Sequence, residues 1–257
     1  MNIKFRVLKR ISYFNRVDTV AYSEQEKLFE SLGLDRAKAL TRINEICQNS
    51  FKRPYSEMNG MWSEHLVFFA ALSNSRFSIS SILEIGTFKA ETTLLLSRLF
   101  PSASIVSIDL SKENLVNSDS YNYFFSDIEL AVRGRTELVE SGENIEFLEM
   151  NSLELINWER KFDLIWVDGD HLSPVSILDI YNSLRLITDN GIVICDDVYI
   201  NKHSTDNYSD TSSFSAIQAL VNAGLIKAKF MRKRIAKIHN LGGKAKFLGV
   251  FQKISAR

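Results

Sequence analysis

Two short acidic motifs contain the residues best suited to chemistry. Asp168, Asp170 and His171 lie close together in the sequence D-G-D-H, and Asp196 and Asp197 follow as a pair. Carboxylates that converge repel one another unless a proton or a cation neutralises them. The hard oxygen atoms of such carboxylates are the ligands that Mg²⁺ or Ca²⁺ prefers. The motifs therefore predict a divalent cation, and we expect Mg²⁺, beside a candidate general base.

Such a group of residues can activate a hydroxyl group. A bound cation lowers the pKa of an alcohol, and a base within hydrogen-bond reach then accepts the proton. Either Asp170 or His171 could be that base, and the sequence leaves the choice open. A zinc site needs three or four nitrogen or sulfur ligands, so a single histidine argues against zinc. The structural alternative is that Asp196 and Asp197 only cap the loop after a buried strand.

The segment Glu84-Ile-Gly86-Thr87 is a second candidate site, because it ends one apolar run and precedes a helical one. A glycine here lets a ligand approach the backbone, and the N–H groups of the next helix can donate hydrogen bonds. The dinucleotide fingerprint and the phosphate-loop motif are both missing, which favours a ligand without phosphates. Asp109 ends the next apolar run, where an acid can bind the hydroxyls of an adenosine ribose. A helix cap is the alternative role for Asp109.

Alternating strand-like and helical segments must position these residues. Runs rich in Ile, Val and Leu are separated by helical patterns and lie at 81–86, 103–109, 144–150, 162–168 and 191–197. This alternation predicts a parallel sheet with helices on both faces. Two further strands, expected at 226–238 and 246–254, are joined by a turn, so one antiparallel strand should finish the sheet. The candidate residues then fall at the carboxyl ends of strands, where such sheets bind ligands.

Residues 81–198 resemble a known family. The segments that carry the resemblance are ILEIGTFKAETTLLLSRL, SIVSIDLS and FDLIWVDGDHLSPVSILDIYNSLRLITDNGIVICDDV. They are similar to the class I S-adenosylmethionine-dependent methyltransferases, and closest to the metal-dependent small-molecule O-methyltransferase branch. The resemblance implies an α/β fold with a Rossmann-like, doubly wound, mostly parallel seven-stranded sheet and a terminal antiparallel strand. One departure is Ala90, where the family usually has a second glycine.

The resemblance also implies a role for each matching residue. The cofactor S-adenosylmethionine would be bound through its methionine part, its ribose and its adenine by Glu84, Gly86, Thr87, Asp109, Asn151, Ser152 and Asp168. The metal ligands would be Asp168, Asp196 and Asp197. The implied activity is magnesium-assisted methyl transfer to a hydroxyl of a small molecule, such as a sugar, a phenol or a natural product. The alternatives are metal-independent methylation of a nitrogen or carboxylate, and a non-catalytic binding module of the same fold.

The rest of the chain is expected to surround this domain. Residues 1–75 read as a helical lid or cap, and 76–257 as the methyltransferase domain. A segment with four aromatic residues could line the acceptor pocket, and it contains Tyr121, Tyr123, Phe124 and Phe125. His203 lies in a polar segment and could face the substrate. His65 is expected to be a partly buried surface residue rather than a base.

Composition limits the remaining possibilities. The 257 residues are 45% hydrophobic and 24% charged, and two cysteines indicate a reducing compartment. No apolar run approaches the roughly 20 residues that span a bilayer. We therefore expect a soluble, cytoplasmic protein with a small-molecule acceptor, no membrane span and no nucleic-acid partner, and leave a homo-oligomer open.

The net charge of zero is unevenly distributed along the chain. Residues 227–257 contain ten basic and no acidic side chains, whereas acidic side chains predominate between 21 and 226. The basic C-terminal strands are expected at the far edge of the sheet. The acidic strand ends would then attract cations, both a sulfonium and a divalent metal ion.

Overall fold

The computed structural model describes residues 17–116, 128–201, 210–240 and 245–254. A seven-stranded sheet forms its centre, as predicted. The strands are β1 (Ser81–Ile85), β2 (Ser104–Asp109), β3 (Ile145–Glu149), β4 (Phe162–Val167), β5 (Ile187–Val198), β6 (Ile226–Arg232) and β7 (Phe247–Lys253).

The strand order is β3-β2-β1-β4-β5-β7-β6. Strands β1 to β5 are parallel, and β7 runs antiparallel to both of its neighbours. The central strands are buried on both faces, which explains why β1 and β4 are nearly continuous apolar runs. The Rossmann-like, mostly parallel sheet with a terminal antiparallel strand is thereby confirmed.

The C-terminal hairpin differs from the predicted one in length and position. Strand β6 ends at Arg232 rather than at 238, and β7 lies between β5 and β6, so β6 forms the edge. Because β6 runs in the same direction as β5, it ends at the carboxyl edge of the sheet, and β7 begins there. Val198, Phe247 and Arg232 are accordingly aligned across the three strands. The segment after β6 therefore lies beside the end of β5.

Helices cover both faces of the sheet. They are α1 (Thr19–Ser31), α2 (Arg36–Phe51), α3 (Glu64–Ser73), α4 (Glu91–Leu99), α5 (Lys112–Val116), α6 (Ile128–Glu140), α7 (Val175–Leu186), α8 (Ser212–Asn222) and α9 (Lys237–Asn240), with a 3₁₀ helix at Ser152–Asn157. Asp18 and Asp35 cap α1 and α2, since their carboxylates accept hydrogen bonds from first-turn N–H groups.

Helix α3 is buried on every side, because it lies between the N-terminal helices and the sheet. Phe69 packs edge-on against Trp166 of β4, with ring centroids 5.3 Å apart. His65 stacks on the same indole at 4.8 Å and is 2% exposed, so its expected surface position was wrong. Burial lowers the pKa of His65 to about 3. This histidine is therefore a neutral core residue.

Some predictions concern residues outside the described ranges. They are the first part of the predicted lid, 1–16, the aromatic residues Tyr121, Tyr123, Phe124 and Phe125, and His203. Among the described residues, no helix combines the length and apolar character that crossing a membrane requires.

Candidate active site

The turn after β1 packs directly against the end of β4. Gly86 has a φ of +95°, and a Cβ atom placed on it would lie 2.2 Å from the carbonyl oxygen of Asp168. The Asp168 N–H donates to the Ile85 carbonyl at 2.8 Å, and the Gly86 N–H donates to the Ile108 carbonyl at 2.9 Å. Gly86 is thus required by both its backbone conformation and this close approach. It joins the predicted cofactor turn to the acidic D-G-D-H motif.

Glu84 supports this turn from beneath. Its side chain is fully buried, and its Oε2 atom accepts hydrogen bonds from the Thr93 and Ser107 hydroxyls, both at 2.5 Å. The Ser107 hydroxyl also lies 2.6 Å from that of Thr87. Burial raises the pKa of Glu84 to about 7, although the two hydrogen bonds oppose the rise. Glu84 and Thr87, both predicted to bind cofactor, therefore share a buried network that shapes the turn.

Asp109 links the same turn to the end of β2. Its carboxylate accepts hydrogen bonds from the Phe88 N–H at 2.6 Å and from the Leu110 N–H at 2.8 Å. Arg135 of α6 approaches it to 3.5 Å, is 2% exposed, and lies over the Phe147 ring at 4.5 Å. Sequence reasoning missed Arg135, because nothing near it in the chain marks a helical arginine as buried.

Two residues of this turn have left-handed backbone conformations without being glycine. The φ angles are +48° for Phe88 and +60° for Ala90. Ala90 is the position at which the resembled family usually has glycine, and the conformation explains that preference.

Asn151 and Ser152 lie next to Asp109 at the carboxyl end of β3. The Met150 N–H donates to the Asp109 carbonyl at 2.8 Å and so fixes the spacing between the two strand ends. The Asn151 side chain accepts from the Leu153 N–H at 3.0 Å and caps the 3₁₀ helix. These two residues therefore border the Asp109 region.

The D-G-D-H motif places its two base candidates differently. The His171 Nε2 atom lies 3.7 Å from Asp168 Oδ1 and 3.9 Å from Asp197 Oδ2. Asp170 is exposed, and its carboxylate accepts from the Leu172 N–H at 3.0 Å. The fold thus brings His171, rather than Asp170, to the carboxylates at the ends of β4 and β5.

Two lysines from the basic C-terminal segment occupy the acidic pair. Lys233 Nζ lies 2.5 Å from both Asp196 Oδ2 and Asp197 Oδ1, and Lys246 Nζ lies 2.5 Å from Asp197 Oδ2. Burial alone would lower the pKa of Lys233, but the neighbouring carboxylates hold it above its usual value. Burial alone would raise the pKa of Asp197, but Lys233, His171 and Lys246 hold it well below its usual range. Lys233 and Asp197 are therefore both charged.

Sequence reasoning missed both lysines, because they lie more than 35 residues from the acids that they contact. Strands β6 and β7 do lie at one edge of the sheet, as expected, but Lys233 and Lys246 flank these strands and reach the acids at the end of β5. The physical reason is topological, since the connection between β6 and β7 returns to the carboxyl edge of the sheet beside β5.

These contacts do not fit a divalent ion held by Asp168, Asp196 and Asp197. Both oxygen atoms of Asp197 and one of Asp196 are engaged by ammonium groups. Donor atoms of Asp168, His171 and Asp196 do lie within 4.8 Å of one another. However, Mg²⁺ prefers oxygen over imidazole nitrogen, and the adjacent ammonium would repel it. Two of the three carboxylates in the predicted ligand set, Asp196 and Asp197, are thus already paired with lysine.

Comparison with known proteins agrees with this geometry. Residues 83–198 match a family model described as a methyltransferase domain. A comparison with curated proteins gives no match. The matched segment runs from β1 to the end of β5 and contains every predicted site residue.

Solved structures with the same fold cover most of the chain. The O-methyltransferase TomG from Streptomyces achromogenes, solved in complex with S-adenosylmethionine, is 17% identical with a TM-score of 0.52, covering 94% of this chain and 99% of its own. The S-adenosylhomocysteine-bound methyltransferase PaMTH1 from Podospora anserina is 16% identical with a TM-score of 0.52, covering 84% and 88%. The N-methyltransferase NodS from Bradyrhizobium japonicum is 15% identical with a TM-score of 0.51, covering 75% and 96%.

Residues 83–198 are thus similar to a methyltransferase domain, and the chain shares its fold with methyltransferases solved with S-adenosylmethionine or S-adenosylhomocysteine. Because an O-methyltransferase and an N-methyltransferase both share this fold, the fold alone does not select the acceptor atom.

Proposed function

We propose that this enzyme transfers a methyl group to a hydroxyl of a small molecule, with His171 as the general base. The observation that carries the proposal is the contact between the Gly86 turn and Asp168, which sets the predicted cofactor turn beside the His171 imidazole. A base beside the predicted cofactor turn would suit an acceptor that must lose a proton, as a hydroxyl does.

Residues of the chain itself would accept the proton that the acceptor hydroxyl loses. His171 would accept it from the acceptor hydroxyl, and the Asp168 and Asp197 carboxylates, 3.7 and 3.9 Å away, would stabilise the resulting imidazolium. S-adenosylmethionine supplies, when bound, an electrophilic methyl group on its sulfonium. The Gly86 turn and Asp109 would orient that group toward the acceptor oxygen, which is the main remaining contribution to rate. Magnesium is not part of this proposal, because lysines already neutralise Asp196 and Asp197.

Calorimetric titration with S-adenosylhomocysteine tests the cofactor half of the proposal. We expect binding to the wild-type chain, and Asp109→Ala should weaken it at least about tenfold through loss of charged hydrogen bonds. Asp189→Ala is the matched control, because Asp189 is an exposed acid at the opposite end of β5. Absence of binding at millimolar S-adenosylhomocysteine would contradict the proposal.

The second half of the proposal, methyl transfer to a hydroxyl with His171 as the base, is tested by comparing wild type with His171→Asn. Methyl transfer is measured to a panel of a catechol, a sugar and a polyketide alcohol. Loss of a general base should lower methyl transfer by about 10²–10⁴-fold. The affinity for S-adenosylhomocysteine should stay unchanged, because the substitution leaves the Gly86 turn intact. Full activity of His171→Asn would exclude this residue as the base.

A further inference from the structure

Lys233 is a buried cation that the sequence-based prediction of the site did not include. Its side chain is 4% exposed, and those of Asp196 and Asp197 are 3% and 11% exposed. A lysine ammonium is rarely buried unless carboxylates surround it. Here one nitrogen atom lies 2.5 Å from an oxygen of each acid, so it bridges them.

A local irregularity of β5 makes this bridge possible. In a regular strand, consecutive side chains point to opposite faces of the sheet. The pairing of β5 with β7 shifts register between Cys195 and Val198, and Asp197 has a φ of +49°. Such a bulge redirects side chains, and as a result both acids reach the same ammonium group. The backbone is strained at Asp197 for this arrangement.

The oxygen atoms that face the lysines are those that a divalent ion would need. Lys233 and Lys246 engage three of the four carboxylate oxygens of the acidic pair. The fourth, Asp196 Oδ1, is buried and has no hydrogen-bond partner among the described residues. A metal ion bound there would lie close to the Lys233 ammonium, which cannot move away without unpairing Asp196 and leaving Asp197 to Lys246 alone.

We infer that Lys233 is the resident cation of this site and takes the place that a divalent metal ion was predicted to fill. It holds Asp196 and Asp197 in position and keeps positive charge beside the acceptor. It is a positioning residue, because it contacts the acids rather than the reacting atoms. The inference deepens the proposed function by making the methyl transfer independent of metal.

Titration with Mn²⁺, followed by its electron paramagnetic resonance signal, tests this inference without an activity measurement. The wild-type chain should leave millimolar Mn²⁺ free, whereas Lys233→Met should bind it at least tenfold more tightly, because Asp196 loses its ammonium partner and Asp197 keeps only Lys246. Lys233→Arg keeps the charge and should resemble the wild type. Lys227→Met, an exposed lysine on β6, is the matched control and should also resemble it.

Two results would overturn the inference. One is Mn²⁺ binding by the wild-type chain as tight as that of Lys233→Met. The other is a folded Lys233→Met chain with no gain in Mn²⁺ binding, since lysine would then not be what excludes the metal.

If circular dichroism shows that Lys233→Met does not fold, the test uses the wild-type chain instead. The NMR resonance of the Lys233 Nζ group is then followed during titration with Mn²⁺. No paramagnetic broadening by Mn²⁺ would support the inference, and broadening would refute it. Failure of the proposed function is recognised separately, by absent binding of S-adenosylhomocysteine.

Discussion

Asp179 in α7 is a buried carboxyl group in an apolar setting. It is fully buried, and neither of its oxygen atoms has a hydrogen-bond partner among the residues that the structure describes. Its Oδ2 atom would lie 3.4 Å from a Cβ atom on Gly169, at the centre of the D-G-D-H motif. Burial raises the pKa of Asp179 to about 7, the nearby Ser152 hydroxyl opposes this, and the Asp170 charge adds to it.

The raised pKa predicts a pH-dependent stability. The folded chain keeps the Asp179 proton as the pH rises from about 4 to 7, while the unfolded chain releases it. The contribution of Asp179 to stability should therefore fall by up to about 1.4 kcal/mol per pH unit in this window. Asp179→Asn cannot titrate, so its unfolding free energy relative to wild type should increase between pH 5 and pH 8. Urea denaturation at both pH values measures this.

Asp189→Asn is the control for Asp179, because Asp189 is exposed and should show no such trend. Glu84, whose pKa is also raised, contributes equally to all three chains and cancels in the comparison. A constant difference between Asp179→Asn and wild type at both pH values would refute the prediction.

At the scale of elements, the β1–α4 turn depends on one glycine. The Gly86 backbone is in the left-handed region and touches the Asp168 carbonyl, so it holds β1, β2 and β4 at a common edge. The predicted cofactor residues and the acidic motif depend on the same junction. A side chain at this position would separate them.

Gly86→Ala should therefore destabilise the fold by at least about 2 kcal/mol, since it adds both a backbone penalty and a steric clash. It should also weaken binding of S-adenosylhomocysteine. Thermal and urea unfolding measure the first effect, and calorimetry measures the second.

Gly134→Ala is the matched control, because Gly134 lies within α6 and a Cβ atom there meets nothing within 4 Å. That substitution should stabilise the chain by about 0.5–1 kcal/mol through helix propensity. Equal effects of the two substitutions would show that the Gly86 junction is not specially constrained.

At the scale of the whole molecule, the N-terminal helices share one hydrophobic core with the sheet. Phe29 and Ile43 of these helices belong to the same buried cluster as Trp166, Ile192 and Leu248 of the sheet. Polar contacts also join the N-terminal segment to the sheet domain. Trp62 Nε1 and Arg53 Nη2 donate hydrogen bonds to the Glu91 carboxylate at the start of α4, at 2.8 and 2.9 Å. The proposed division of the chain at residue 75 therefore does not divide the core.

A chain of residues 76–257 alone should accordingly fail to fold cooperatively, because one face of its sheet would lose its apolar cover. We expect a broad thermal transition and binding of a hydrophobic dye, compared with a sharp transition for the full chain. A sharp transition for residues 76–257 would instead show that 1–75 is an independent lid.

Local pattern determined most of the fold. The apolar runs that became β1 to β5 alternate with helical segments, and burial on both faces requires such runs in a parallel sheet. The same pattern placed Asp109, Asp168 and Asp196 at the carboxyl edge, because strand ends can be identified from where apolar runs stop. The β6 boundary was less predictable, since the strand ends at Arg232 although the Lys233 N–H still donates to the Lys246 carbonyl at 2.9 Å.

Only the tertiary structure decided how the acidic edge is neutralised. Sequence alone predicted a cleft that attracts cations, and the acids are where it placed them. The topology of β6 and β7 then returns Lys233 and Lys246 to Asp196 and Asp197, although the chain separates them widely. Ion pairing depends on distance in space, whereas a motif records only distance along the chain. For that reason the sequence determined the acids, and the fold determined their partner.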